Sequence, residues 1–137
     1  MRIEQPSKKY IHEHSLVYSC QYHIVFCPKY RRPVLVDGVA ERMKELVLEK
    51  QADYGYTVVD QEVMPDHVHL LLACDPRKAV ADVVGRIKGY TAHELRNEFP
   101  WLKSRLPSLW TRSKFISSVG SVTLEVVKQY IENQKGV

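Results

Sequence analysis

With 137 residues and a mass of 15.9 kDa, the chain has room for one domain, which excludes an enzyme built from two domains. Hydrophobic residues make up 45% of the chain and charged residues 26%, a globular balance that excludes a solenoid or a largely disordered protein. The net charge of +4 at pH 7 permits a polyanionic partner without requiring one.

The predicted elements begin after a polar amino-terminal arm, residues 1–15. This arm lacks the apolar stretch of a signal peptide, and no apolar run in the chain reaches the roughly 18 residues of a membrane span. The three cysteines form no C-x-x-C pair, which favours reduced thiols over a zinc site. We therefore expect a cytoplasmic protein with no membrane partner.

A long, buried first strand is predicted over residues 16–27, where β-branched and aromatic residues dominate and Pro28 ends the run. A helix follows, with Asp37 as its candidate amino-terminal cap and Gly55 at its end. Its apolar positions recur with helical spacing: Val39, Met43, Leu46 and Val47.

Two further strands, residues 56–64 and 67–74, flank the turn residues Pro65 and Asp66, which predicts a hairpin. A second helix is predicted to run to about residue 99, with Asp75 as its cap and Pro76 in the first helical position. Its stripe with helical spacing consists of Val80, Val83, Val84, Ile87, Thr91 and Leu95. Residues 111–119 form a candidate fourth strand, and residues 123–134 a final helix.

This order, β-α-β-β-α-β, matches the split β-α-β, ferredoxin-like plan, an α+β fold whose antiparallel sheet carries two helices on one face. We expect one domain over residues 1–137, made of the arm at 1–15, the ferredoxin-like core at 16–119 and a carboxy-terminal helix at 120–137. The other face of the sheet is expected to be open. Because this fold serves metal binders, RNA binders and nucleases alike, function depends on particular residues.

His67 and His69 stand two residues apart in the third predicted strand, so both lie on one face of the sheet with Cα atoms about 6.5 to 7 Å apart. The alternating Val68 and Leu70 point into the helix-covered core, so the imidazoles face the open side, where they can converge on one cation. Taken alone, so short a pattern is more often a pair of incidental surface histidines.

The other histidines receive no role. His12 and His14 repeat the H-x-H pattern, but they lie in the polar arm, where no apolar alternation would hold the ring geometry of a ligand pair. For His23 in the first strand and His93 on the second helix, a core or surface position outweighs metal binding.

Tyr130 and Gln134 are four residues apart in the final predicted helix, so both side chains leave the same face one turn apart. The neighbouring apolar stripe of Leu124, Val127 and Ile131 predicts the face that docks on the core. By periodicity alone, Tyr130 would merely pack at the edge of this stripe.

Basic side chains gather near aromatic ones at two places. Lys29, Arg31 and Arg32 surround Tyr30, and the connection into the fourth strand combines Arg112 with other basic residues and with Trp101 and Trp110. Such pairs suit the phosphates and unstacked bases of single-stranded nucleic acid, although long basic side chains also cover apolar surface. We name four candidate contacts: Lys29, Arg31, Arg32 and Arg112.

Four stretches together resemble one family: YHIVFCPKYRRPVL at 22–35, MPDHVHLLL at 64–72, LWTRSKFISSVG at 109–120 and VVKQYIENQ at 126–134. The family is the HUH single-tyrosine transposases of small bacterial and archaeal insertion sequences, of the insertion-sequence-two-hundred type. Four ordered motifs are far more specific than one H-x-H.

The resemblance implies a homodimeric DNA strand transferase that cuts and rejoins single-stranded transposon ends carrying hairpins. It also implies that His67, His69 and Gln134 hold a divalent cation, Mg²⁺ or Mn²⁺, and that Tyr130 is the nucleophile that forms a 5′-phosphotyrosine. In the family the tyrosine helix is reported to pack on the partner subunit, so active sites could be shared between chains.

The residue chemistry agrees independently with this function. A phenol with a pKa near 10 is a poor nucleophile at neutral pH and needs a Lewis acid on the phosphate. Two neutral imidazoles and an amide oxygen leave the charge of the cation uncancelled, and imidazole suits Mn²⁺ somewhat better than Mg²⁺. Asp66 could orient a histidine, although its turn position explains it equally well.

Two alternatives stay open. One is a domesticated HUH endonuclease that keeps the chemistry but acts on genomic palindromes. The other is a non-catalytic module on the same fold that binds single-stranded nucleic acid, which would have no need of Tyr130 and Gln134.

Overall fold

A computed structural model describes residues 11–13, 16–18, 20–119 and 124–137 of the chain. Its strands are β1 (Ile11–Glu13), β2 (Leu16–Tyr18), β3 (Gln21–Phe26), β4 (Tyr56–Met64), β5 (His67–Cys74) and β6 (Phe115–Ser118). Its helices are α1 (Val39–Glu49), α2 (Gln51–Tyr54), α3 (Val80–Glu98), α4 (Trp101–Arg105) and α5 (Leu124–Glu132), with a 3₁₀ turn at Lys29–Arg31.

The sheet confirms the α+β prediction. Strands β4, β5, β3 and β6 form one antiparallel sheet in that order, so each helical connection, β3 to β4 and β5 to β6, passes over one intervening strand. This is the arrangement of the ferredoxin-like plan. Strands β1 and β2 form a separate two-stranded antiparallel sheet.

The core lies between the sheet and helices α1 and α3. Side chains of alternate residues on β3 and β5 meet the apolar stripes of the two helices, and those at the centre are at most 1% exposed: Ile24, Phe26, Met43, Leu46, Leu70, Leu72, Val84 and Ile87. Each such side chain contributes about 1.5 to 3 kcal/mol through burial. The predicted apolar positions of both helices are thus confirmed.

The predicted first strand over residues 16–27 is wrong in extent, because the structure divides it into β2 and β3, which belong to different sheets. A run of β-branched residues does not reveal where the pairing partner changes, since that depends on distant strands. Part of the predicted polar arm is β1; residues 1–10 and 14–15 lie outside the described part of the chain.

Two predicted helix caps are wrong. Helix α1 begins after Gly38, which takes the left-handed conformation at φ +94°, so Asp37 is not its cap. Helix α3 begins at Val80, five residues after Asp75. The Asp75 carboxylate instead accepts the backbone N–H of Arg77 at 2.9 Å, because a short acidic side chain also stabilises a local turn.

The last two elements are shorter than predicted. Strand β6 begins only at Phe115, after an irregular segment, and residues 120–123 lie outside the described residues. Helix α5 ends at Glu132, so Gln134 lies in the turn that follows rather than in the helix. Its backbone N–H bonds to the carbonyl of Ile131 at 3.1 Å, which continues the chain in a tightened last turn.

The face of the sheet opposite the core is not open as predicted. Val25 pairs with both His69 and Phe115 across the sheet, and Val25 is fully buried. Helix α5 packs on this face through Val127, which is also fully buried, and through Tyr130, whose ring lies 5.2 Å from that of Phe115. Val127 of the predicted apolar stripe therefore lies on the face that carries the histidines, whereas the side chain of Leu124 lies outside the described residues. Among the described helices, none is long and apolar enough to cross a bilayer.

Candidate functional site

His67 begins β5 directly after the hairpin turn, where its ring is held by Asp66. The Nδ1 atom lies 2.8 Å from Asp66 Oδ1, and a carboxylate only accepts, so Nδ1 carries the hydrogen. The lone pair then lies on Nε2, a buried atom with no hydrogen-bond partner within the described structure. A carboxylate on one ring nitrogen and a free lone pair on the other are the usual features of a metal-binding histidine.

His69 lies one pleat further along the same face, and its partner is His23 on the neighbouring strand β3. His23 Nδ1 is 3.1 Å from His69 Nε2, and the two rings stack with centroids 5.3 Å apart. Burial, followed by the charges of His23 and His67, lowers the pKa of His69 to about 4. Burial also lowers the pKa of His23. Both rings are therefore neutral at pH 7, the form that binds a cation.

Arg31 connects Asp66, the partner of His67, to helix α5. Its Nε lies 3.2 Å from Asp66 Oδ2, and its Nη1 lies 3.3 Å from Glu132 Oε2 and 3.1 Å from the carbonyl oxygen of Ile131. The side chain is only 16% exposed. The predicted DNA contact of Arg31 stays a prediction, but its guanidinium has internal partners that the sequence did not indicate.

Tyr130 and Gln134 meet at one hydroxyl, that of Ser113. Ser113 Oγ lies 3.0 Å from the Tyr130 hydroxyl and 2.7 Å from Gln134 Oε1. Gln134 is 7% exposed and Tyr130 is half-buried. Burial raises the pKa of Tyr130, and the hydrogen bond with Ser113 opposes that shift. The phenol is thus protonated at neutral pH.

Lys88 on α3 fixes the segment that carries Ser113. Its Nζ donates to the backbone carbonyls of Thr111 at 2.6 Å and Ser113 at 3.2 Å. Burial, with a smaller contribution from Lys114, lowers the pKa of Lys88 to about 8. Neither Lys88 nor Ser113 was identified from the sequence, because their roles depend on contacts between segments far apart in the chain.

The remaining candidate contacts lie on the surface or near it. Arg32 and Arg112 are exposed, and Lys29 is partly exposed, with its Nζ 5.2 Å from the centre of the Tyr30 ring. Trp110, in contrast, is a core residue at 7% exposure whose indole N–H bonds to Thr91. The sequence-based suggestion that Trp110 stacks on bases is therefore wrong.

The donor set fits a divalent cation, because neutral imidazole nitrogens and an amide oxygen are ligands that Mg²⁺ and Mn²⁺ accept. No cluster of three His, Cys, Asp or Glu side chains suited to a metal occurs in the described part of the chain. The amide of Gln134, the third predicted ligand, is of another type than these four. The side chain of His12 and the whole of His14 lie outside the described residues.

Known proteins resemble this chain over the range that contains the candidate site. Residues 16–134 match the model of a family described as IS200-like transposases, and this range contains every predicted site residue. The ISDra2 transposase TnpA of Deinococcus radiodurans is 41% identical over 120 residues, which cover 86% of each protein. The transposase for insertion sequence element IS200 of Salmonella typhimurium is 32% identical over 120 residues, covering 85% of this chain and 78% of that protein.

The solved structures that resemble the chain include two with different degrees of similarity. One, from Deinococcus radiodurans R1 and assigned as a transposase, superposes with a TM-score of 0.84 at 37% identity, covering 93% of this chain and 99% of that one. The other is a REP-associated tyrosine transposase bound to a REP hairpin, with a TM-score of 0.56 at 11% identity, covering 95% of this chain and 69% of that one. At that identity the second match shows the fold alone.

Proposed function

Because this chain belongs to the IS200-like transposase family, we propose that it is a metal-dependent strand transferase that cleaves and rejoins single-stranded transposon ends. One observation carries the proposal: Ser113 bonds to both the Tyr130 hydroxyl and the Gln134 amide oxygen. The shared hydroxyl brings the proposed nucleophile Tyr130 and the proposed metal ligand Gln134 to one site. A module that only binds nucleic acid would need neither residue.

The histidine motif supplies the other ligands. His67 offers its buried Nε2, which Asp66 leaves without a hydrogen, and His69 offers a neutral ring oriented by His23. Together with Gln134 these side chains would hold Mg²⁺ or Mn²⁺. When bound, the cation supplies a Lewis acid for the scissile phosphate.

Tyr130 performs the covalent step. Its phenol oxygen gives up its proton to water and attacks the phosphorus, a P–O bond to tyrosine forms, and the bond to the 3′ oxygen breaks as that oxygen takes up a proton from water. The products are a 5′-phosphotyrosine and a free 3′-hydroxyl. Because one phosphoester replaces another, a 3′-hydroxyl from a second end can reverse the step without ATP.

The proposed partner is single-stranded DNA with hairpin ends. The REP-associated tyrosine transposase, which has a similar fold, is bound to a REP hairpin, and this chain carries Lys29, Arg32 and Arg112 as candidate phosphate contacts. The cytoplasm stays the predicted location.

We also expect a homodimer. Arg31 and Ser113 contact helix α5 and its following turn within the single chain, so a shared site would require α5 to exchange these contacts for those of the partner. If the sites are shared, a mixture of Tyr130→Phe and His67→Ala chains recovers cleavage in verified heterodimers. If the mixture stays inactive, each site is completed within one chain.

The test of the function is a denaturing gel with the wild type and Tyr130→Phe. Each protein is incubated with single-stranded DNA from the element's own ends, with Mn²⁺, Mg²⁺ or chelator. We expect a metal-dependent covalent protein–DNA band from the wild type only. A folded wild type that binds these ends but forms no adduct would support the non-catalytic alternative. Equal cleavage of genomic palindromes and element ends would support the domesticated one.

A further inference from the structure

The hydroxyl of Ser113 lies between the side chains of Tyr130 on α5 and Gln134 in the turn that follows. The proposed chemistry requires both of these side chains. Ser113 belongs to the irregular segment before β6, and it is partly buried. Its Oγ makes two short contacts, 2.7 Å to Gln134 Oε1 and 3.0 Å to the Tyr130 hydroxyl. No contact of this kind could be foreseen from the spacing of the motifs.

The direction of both hydrogen bonds follows from the chemistry of the groups. An amide oxygen can only accept, so Ser113 gives its single hydrogen to Gln134. The Tyr130 hydroxyl must then be the donor in the second bond, with Ser113 Oγ as acceptor. The hydrogen of the phenol therefore points to Ser113, and the lone pairs of the phenol oxygen point elsewhere.

The same arrangement sets the orientation of Gln134. Amide oxygen and nitrogen are equivalent in shape, and only hydrogen bonding decides which of them faces a given direction. In the structure Oε1 faces Ser113 and accepts its hydrogen with one of its two lone pairs, so the second lone pair stays available. A divalent cation binds the oxygen and not the nitrogen of an amide.

Ser113 is itself held rigidly. Lys88 Nζ donates to the carbonyl of Ser113 at 3.2 Å and to that of Thr111 at 2.6 Å, and the N–H of Thr111 bonds to the carbonyl of Cys27 at 3.0 Å. These contacts attach the segment to both α3 and the end of β3. A positioning group must be fixed to the scaffold in this way if it is to orient others.

We propose that Ser113 is a positioning residue of the active site, which orients the Tyr130 hydroxyl for attack and the Gln134 amide oxygen for cation binding. The proposal rests on the function proposed above. It assigns to Ser113 no proton transfer, because its acceptor, an amide oxygen, is not a base. Its effect is to hold two groups in one geometry at the same time.

The test compares Ser113→Ala, Ser113→Thr and the control Ser108→Ala, whose exposed serine lies five residues earlier on the same connection. The rate of adduct formation is measured in single-turnover reactions with saturating DNA. DNA affinity is measured without metal, and Mn²⁺ affinity is measured by electron paramagnetic resonance without DNA. For Ser113→Ala we expect the adduct rate and the Mn²⁺ affinity each to fall about tenfold or more, with DNA affinity unchanged. Ser113→Thr keeps the hydroxyl and is expected to recover most of both.

The possible failures are distinguishable. If the wild type forms no adduct, the proposed function fails. If the wild type forms the adduct and Ser113→Ala forms it at the same rate with the same Mn²⁺ affinity, the role of Ser113 is wrong. Equal losses in Ser113→Ala and Ser113→Thr, with both proteins folded by circular dichroism, would also overturn it, because the hydroxyl would then not be the cause.

Discussion

Arg31 Nε lies 3.2 Å from Asp66 Oδ2, while the same guanidinium contacts Glu132 and the carbonyl oxygen of Ile131. One side chain thus joins the carboxylate that orients His67 to the helix that carries Tyr130. Arg31 can reach both because it lies in a 3₁₀ turn at φ +52°, next to Tyr30 at φ +59°. Two consecutive left-handed residues are unfavourable, and such strain is typical of functional sites.

Replacing Arg31 tests this connection. Arg31→Ala removes the cation beside Asp66 Oδ2 and one of the two donors to the Ile131 carbonyl, so we expect a loss of about 1 to 3 kcal/mol in the free energy of unfolding, measured with urea. Arg31→Lys should recover only part, because one ammonium cannot match the fork of a guanidinium. The exposed neighbour provides the control: Arg32→Ala should change stability by less than about 0.5 kcal/mol. Equal effects would contradict the connection.

Asp66→Asn is expected to weaken Mn²⁺ binding about tenfold. The amide can still accept the His67 Nδ1–H, but without the charge that raises the basicity of the ring. Titration of the metal-free protein with Mn²⁺ measures the effect. Asp53→Asn, a matched change at a side chain that is 65% exposed, should leave the affinity unaltered. If Asp66→Asn binds Mn²⁺ as tightly as the wild type, Asp66 serves only the hairpin turn.

His23→Leu removes the partner of His69. Because the 3.1 Å contact and ring stacking fix the orientation of His69, we expect Mn²⁺ affinity to fall about tenfold while the fold is retained. His93→Leu serves as the comparison, since His93 is 72% exposed on α3. Were the two variants to bind Mn²⁺ equally well, His23 would be only a core residue, as its sequence position first indicated.

The dependence of stability on pH should carry a contribution from Lys88. Its pKa is lowered from 10.5 to about 8 by burial, so between these pH values the unfolded chain binds more protons than the folded one. Stability from this group therefore rises with pH from about 8 to 10.5 and is constant below that window. The difference in urea midpoint between the wild type and Lys88→Met should follow this rise. A difference that does not vary with pH would show that Lys88 is not desolvated.

The candidate DNA contacts are tested by salt dependence. Removing Lys29, Arg32 and Arg112 together should reduce the slope of log affinity against log salt by about 2 for single-stranded DNA, because each lost phosphate contact contributes about 0.7. A triple variant of Lys44, Lys103 and Arg105, exposed basic residues on the helices α1 and α4, is matched in charge. Equal slopes for the two triple variants would show that Lys29, Arg32 and Arg112 are not specific phosphate contacts.

Much of the fold was predictable because it rests on local patterns. Alternation placed Val68 and Leu70 in the core and the histidines on the other face, and helical spacing found the buried stripes of α1 and α3. The predicted cap at Asp75 was wrong because its carboxylate stabilises a local turn. The predicted cap at Asp37 was wrong because Gly38 takes the cap position, while Asp37 lies before it at φ +56°. The prediction of one strand over residues 16–27 was wrong because the partners with which a strand pairs lie far away in the sequence.

The sequence by itself determined the order of the elements, the family resemblance and the identity of His67, His69, Tyr130 and Gln134 as candidates, since each depends on residue type and short spacing. Only the tertiary structure decided their partners. Sheet order brings His23 to His69, and the docking of α5 brings Arg31 to Glu132 and Ser113 to Tyr130. These contacts join residues 17 to 101 positions apart. No periodicity encodes them, because the packing of the whole chain fixes their distances.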